Sequence, residues 1–138
     1  MKKEWIYFGI FLNEETKEKL KEDLIKKGIN LNEWKLICHH MTIAFNDGSK
    51  EVQEEFEKYK EFFGERICII PTQIGFSKDA IALKVRFDYK TFNNFPHITL
   101  AVPKNGGNPV NSNYITEWYD YTPKILLKGK FDYFKPNK

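Results

Sequence analysis

The sequence predicts an α+β domain, and three observations carry that expectation. Strand-like and helix-like segments follow one another in the order β-α-β-α-β-β-β-α-β. Hairpins are mixed among crossovers, which places helices over one face of a mostly antiparallel sheet. The 138 residues, 41% of them hydrophobic and 16% aromatic, supply one core and argue against disorder. With no long linker or low-complexity tract, residues 1–138 read as a single domain.

Residues 5–12 (WIYFGIFL) are aromatic and β-branched, the composition of a strand. Asn13 suits a helix N-cap, and Glu14 and Glu15 favour the positive end of the helix dipole. Thr16, Leu20 and Leu24 then recur every fourth residue until Gly28 stops a helix over roughly 14–27. A strand follows at about 35–45. Ser49 caps a second helix with Val52, Phe56, Tyr59 and Phe63 as its apolar stripe, closed by Gly64. Residues 66–76 and 80–87 read as a hairpin turning at Ser77–Asp79, and 96–102 as another strand. PKNGGNPVNSN is a loop by composition, followed by a short helix from Ser112 to about Tyr119 and a final strand near 124–134.

Two strands repeat a pattern. HMTIAF (40–45) and HITLAV (97–102) share His, Thr and Ala at the same offsets. Side chains two apart on a strand point the same way. His40, Thr42 and Ala44 therefore share one face, as do His97, Thr99 and Ala101, opposite two apolar core faces. The same alternation puts Trp5, Tyr7, Gly9 and Phe11 on the non-core side of the first strand, and Lys84 with Arg86 opposite Ile81, Leu83 and Val85. Together these faces describe a concave surface with two His-Thr pairs, cations and aromatic rings. His39 alternates away from His40 and reads as a structural histidine.

A histidine pair provides a general base and a general acid near neutrality. Reaction at a phosphodiester needs both, one to deprotonate the attacking oxygen and one to protonate the leaving oxygen. Threonine hydroxyls alongside can donate to the non-bridging phosphate oxygens as these gain charge. The catalytic candidates are thus His40, Thr42, His97 and Thr99. The substrate-binding candidates are Tyr7, Trp5, Lys84 and Arg86.

With these motifs in place, the chain resembles the 2H phosphoesterase superfamily, which includes LigT-like RNA phosphodiesterases and the cyclic phosphodiesterase domains of RNA-repair enzymes. The shared signature is two H-x-[S/T]-hydrophobic motifs, here His40-Met41-Thr42-Ile43 and His97-Ile98-Thr99-Leu100. The resemblance implies a bilobal fold, two mostly antiparallel sheets around a central cleft with helices outside. It further implies attack without metal or cofactor at a 2′,3′-cyclic phosphate RNA end, a cyclic nucleotide or a cyclic oligonucleotide. The rival expectation is a non-catalytic RNA- or nucleotide-binding module, which would not need two titrating groups.

Other classes are constrained more weakly. Twenty-two basic against 19 acidic residues leave a net charge of +3, too mild to mark a nucleic-acid protein by itself. Lys124 to Lys138 is more lopsided, with five lysines and one aspartate, fitting either an attraction for anions or a lysine-rich edge strand. Cys38 and Cys68 lie in apolar runs and read as buried reduced thiols, consistent with a cytoplasmic protein. Three histidines with no carboxylate at ligand spacing beside them make zinc a weak rival. The apolar run at the N-terminus is broken by Asn13 and two glutamates, so neither a signal peptide nor a membrane span of about 18 apolar residues is expected.

Overall fold

Aromatic and β-branched residues build β1 (Tyr7–Leu12), and Asn13 turns it into α1 (Glu14–Lys26). The Asn13 Oδ1 accepts from the Thr16 N–H at 2.8 Å, the expected cap. This computed structural model describes residues 4–88, 91–92, 95–121 and 125–135. Helix α1 buries Leu20 and Leu24, and the chain leaves it through Gly28 at φ +85°, a left-handed turn that glycine adopts without strain.

The single strand expected at 35–45 is two strands, β2 (Trp34–Leu36) and β3 (His40–Phe45). Between them Cys38 takes φ +44°. Ser49 Oγ then accepts from the Val52 N–H at 3.3 Å to open α2 (Lys50–Tyr59), which ends in a 3₁₀ turn, Lys60–Phe62. Val52, Phe56 and Tyr59 are its buried stripe, and Phe56 stacks on Trp5 with centroids 4.2 Å apart.

The hairpin is β4 (Arg66–Phe76) and β5 (Ile81–Arg86), and the second repeat is β6 (His97–Pro103). The helix expected from Ser112 to Tyr119 is instead a 3₁₀ segment, Pro109–Tyr114, and a short strand, β7 (Glu117–Asp120). Trp118 and Tyr119 are better strand than helix formers, and β7 finds a ladder on β4 at Gln73–Phe76. The last strand is β8 (Leu127–Phe134). Residue 124, where that strand was expected to begin, lies outside the described residues.

Among the described residues the strand pairings are antiparallel, and the α+β class holds. The expected pair of sheets does not. The strand path β6-β3-β1-β8-β4-β5 returns to β6, so six strands close into a barrel. Closure comes from β6, which pairs with β3 at Met41↔Ile98 and with β5 from Ile81↔Ala101 to Lys84↔His97. Both His-x-Thr strands are therefore neighbours in one sheet. The core lies on the opposite face of these strands, where Phe8, Ile10, Met41, Ile43, Leu83, Ile98 and Leu100 are fully buried. Gly9 lets β1 approach β3, because a Cβ there would collide with the Met41 carbonyl.

Three further expectations change. Trp5 precedes β1 and is only 3% exposed, because its ring fills the core between Phe8 and Phe56. Cys68 is exposed, whereas Cys38 is buried with its Sγ 3.5 Å from the Leu100 carbonyl. Burial pushes the Cys38 thiol up to about 12. Strand β8 is central, between β1 and β4, and its lysines do not guard an edge. Among the described residues, no helix is long and apolar enough to cross a membrane.

Candidate active site

Antiparallel pairing of β3 with β6 at Met41↔Ile98 decides the geometry. Continued one residue each way, this register sets His40 across from Thr99 and Thr42 across from His97. All four side chains line a cavity of about 280 Å³. Tyr7 and Phe45 border it, and Asn108, Pro109 and Asn113 from the loop after β6 complete the wall. The loop residues escaped sequence reasoning, since Asn and Pro in a loop signal only a turn.

The two histidines are held differently. The His97 Nδ1–H donates to the Phe95 carbonyl at 2.9 Å, so in the neutral ring Nε2 carries the lone pair. Burial lowers the His97 pKa, although the Phe95 hydrogen bond opposes this. The His40 Nδ1 lies 2.8 Å from the His39 Nδ1 and 3.5 Å from the Tyr7 hydroxyl. Its pKa is lowered to about 4, chiefly by burial, with His39 and His97 adding to the effect.

The contact with His39 overturns its assignment to the far face. Strict alternation fails because β3 begins only at His40, and Cys38 in the left-handed region redirects the chain just before it. One of the two Nδ1 atoms must donate to the other, so the tautomers of His39 and His40 are coupled. The Phe11 ring meets His39 edge-on at 5.5 Å and completes its support.

The threonines are buried to the same extent, each 8% exposed. Thr99 Oγ1 donates to the Pro109 carbonyl at 3.3 Å and lies 2.7 Å from Ser112 Oγ, a fully buried hydroxyl. With Ser112 donating, the Thr99 proton has only to swing from Pro109 to reach an anion in the cavity. Ser112 is a further residue that the sequence did not flag.

The proposed binding residues separate. Tyr7 lines the cavity and stacks on His40 at 4.5 Å, with Phe134 at 5.2 Å. Phe45, 54% exposed at the mouth, offers a more open ring. Trp5 is in the core and cannot touch a ligand here. Lys84 is the ladder partner of His97, but its Nζ lies over the Trp118 ring at 4.4 Å and the Phe95 ring at 5.0 Å rather than in the cavity. Arg86 is exposed, with Nε 3.6 Å from Asp88 Oδ1, and also stands outside the cavity. Among the described residues, no three His, Cys, Asp or Glu side chains gather where a metal ion could be held.

The sequence matches no family model and no curated protein. The fold does have a solved counterpart. It resembles part of a fungal RNA kinase. The crystal structure of that enzyme superimposes with a TM-score of 0.67 at 13% identity, covering 98% of this chain and 46% of the other. The chain thus spans less than half the length of this neighbour, and the likeness concerns the fold alone.

Proposed function

We propose that this single domain is a metal-independent phosphodiesterase of the 2H type, acting on a nucleotide with a cyclic phosphate. The carrying observation is the convergence of two His-Thr pairs on one cavity, from strands 57 positions apart in the sequence. The fold likeness to an RNA kinase favours an RNA end over a free cyclic mononucleotide.

In the proposed step, the His97 Nε2 lone pair removes a proton from water as its oxygen bonds to phosphorus. The bond from phosphorus to one ribose oxygen breaks, and the His40 imidazolium gives its Nε2 proton to that oxygen. Thr42 and Thr99 donate to the non-bridging oxygens, which carry the growing charge. The product is a phosphate monoester. Exchange with solvent restores both imidazoles. His40 is neutral at pH 7 in the empty site, and the anionic phosphate raises its pKa on binding, supplying the charged acid only when substrate is present.

The pH dependence follows. Both free-enzyme histidines titrate below the ordinary value of about 6.5. The profile of kcat/KM is therefore a bell centred on the acid side of that value, while kcat, measured in the complex, peaks at higher pH. His39→Ala removes a neighbour that lowers the His40 pKa, so the kcat/KM bell moves towards neutrality. Initial rates from pH 4 to 9 check both, and a flat profile or an unmoved bell contradicts them.

Tyr7→Ala is expected to weaken nucleotide binding by about 5–100-fold through lost stacking, worth about 1–3 kcal/mol, with Tyr7→Phe nearly unchanged. Titration with a non-hydrolysable nucleotide analogue measures this, and equal affinities exclude the contact. A substrate panel with EDTA present tests the function itself: RNA 2′,3′-cyclic phosphate ends, cyclic mononucleotides and cyclic dinucleotides. Hydrolysis of at least one is expected. Abolition by EDTA with rescue by Zn²⁺ or Mn²⁺ reverses the metal-free reading.

A further inference from the structure

A second concave site lies beside the cavity. It is a groove of about 420 Å³ whose walls include Phe11, Arg66, Lys128 and Lys130. One row of ladder partners crosses four strands into it: His40 of β3, Phe11 of β1, Lys130 of β8 and Arg66 of β4. Partners across a ladder share a face of the sheet, so these four side chains stand in line on the face that holds the histidines. At about 4.8 Å between strands, Lys130 is about 10 Å and Arg66 about 14 Å along the sheet from His40.

The cations are not explained by the fold. Lys128, Lys130 and Arg66 are exposed, and Arg66 stands directly opposite Lys130, a like-charge pair that destabilises a ladder. Protection of a free edge does not account for Lys128 and Lys130, because β8 is flanked by β1 and β4. Two carboxylates oppose the cluster, Asp132, whose Oδ2 lies 3.9 Å from the Lys130 Nζ, and Glu15, whose charge interacts with that of Lys128. A bound polyanion would offset the repulsion, and Phe11 offers a ring between the histidine and the first cation.

We propose that this groove seats a single-stranded oligonucleotide leading to the reacting phosphate, with Lys130 and Arg66 on successive phosphates and Phe11 against a base. The proposal rests on the phosphodiesterase reading for its direction and narrows the substrate to an RNA strand end rather than a small cyclic nucleotide.

Fluorescence anisotropy with a labelled single-stranded RNA of about eight nucleotides ending in a 3′-phosphate tests it, with a labelled mononucleotide 3′-phosphate as the comparison. The oligonucleotide is expected to bind at least about 10-fold more tightly. The double variant Arg66→Ala, Lys130→Ala should lose most of that advantage while leaving mononucleotide binding unchanged. Its salt slope should fall by about 1.4, or about 0.7 for each lost phosphate contact. Both residues are exposed, and an unchanged circular dichroism spectrum confirms folding. Equal affinity for the two ligands, an unaffected double variant, or tighter binding of a duplex would overturn the proposal. Because the readout is binding, a wild type that binds the strand through the groove yet hydrolyses nothing would reject the phosphodiesterase reading alone.

Discussion

His97→Ala is expected to lower turnover by about 10²-fold or more, and His40→Ala by a similar factor, as befits the loss of a proton-transfer partner. The argument for His97 rests on its Nδ1–H, which is committed to the Phe95 carbonyl and leaves Nε2 as the reactive atom. His40 is set by a different contact, the His39 Nδ1, and is the more deeply depressed of the two in pKa. Both rings border the cavity rather than fill the core, so truncation should leave the barrel standing. Steady-state kcat on the best substrate, with folding checked by thermal melts, gives the answer. More than a tenth of wild-type activity in either variant removes the two-histidine mechanism.

Thr42→Val and Thr99→Val are each expected to cost about 10–10³-fold in kcat, since each deletes one donor to oxygens that gain charge in the transition state. Valine keeps the branched shape, so the ladder at Gly9↔Thr42 and Ala82↔Thr99 should survive. The Thr99 variant also leaves Ser112 Oγ without its 2.7 Å partner, which adds a stability cost to the kinetic one. A loss confined to KM, with kcat unchanged, contradicts transition-state donation and leaves the threonines as ground-state binding groups.

How much of this was legible in the sequence differs from element to element. The caps at Asn13 and Ser49 and the helices behind them were readable, because capping chemistry is local. The two His-Thr faces were readable as well, since period-two alternation held within β3 and β6. Alternation failed one residue earlier, at His39, where Cys38 adopts a backbone conformation that no residue type there announces. It failed again at Trp5, which lies before β1 and so owes its direction to the Phe56 ring rather than to the pleat. Barrel closure was not legible, because it depends on β5 reaching β6, a pairing that leaves no local trace. The central position of β8 was hidden for the same reason, and with it the meaning of its lysines.

The most direct test of a two-imidazole phosphodiesterase is phosphorus NMR of an RNA oligonucleotide with a 2′,3′-cyclic phosphate end, incubated with the full chain in EDTA. The cyclic phosphate resonance should be replaced, molecule for molecule, by that of a phosphate monoester, and should persist with the His40→Ala, His97→Ala double variant. An unchanged resonance with the wild type, or conversion by the double variant at the wild-type rate, would contradict it.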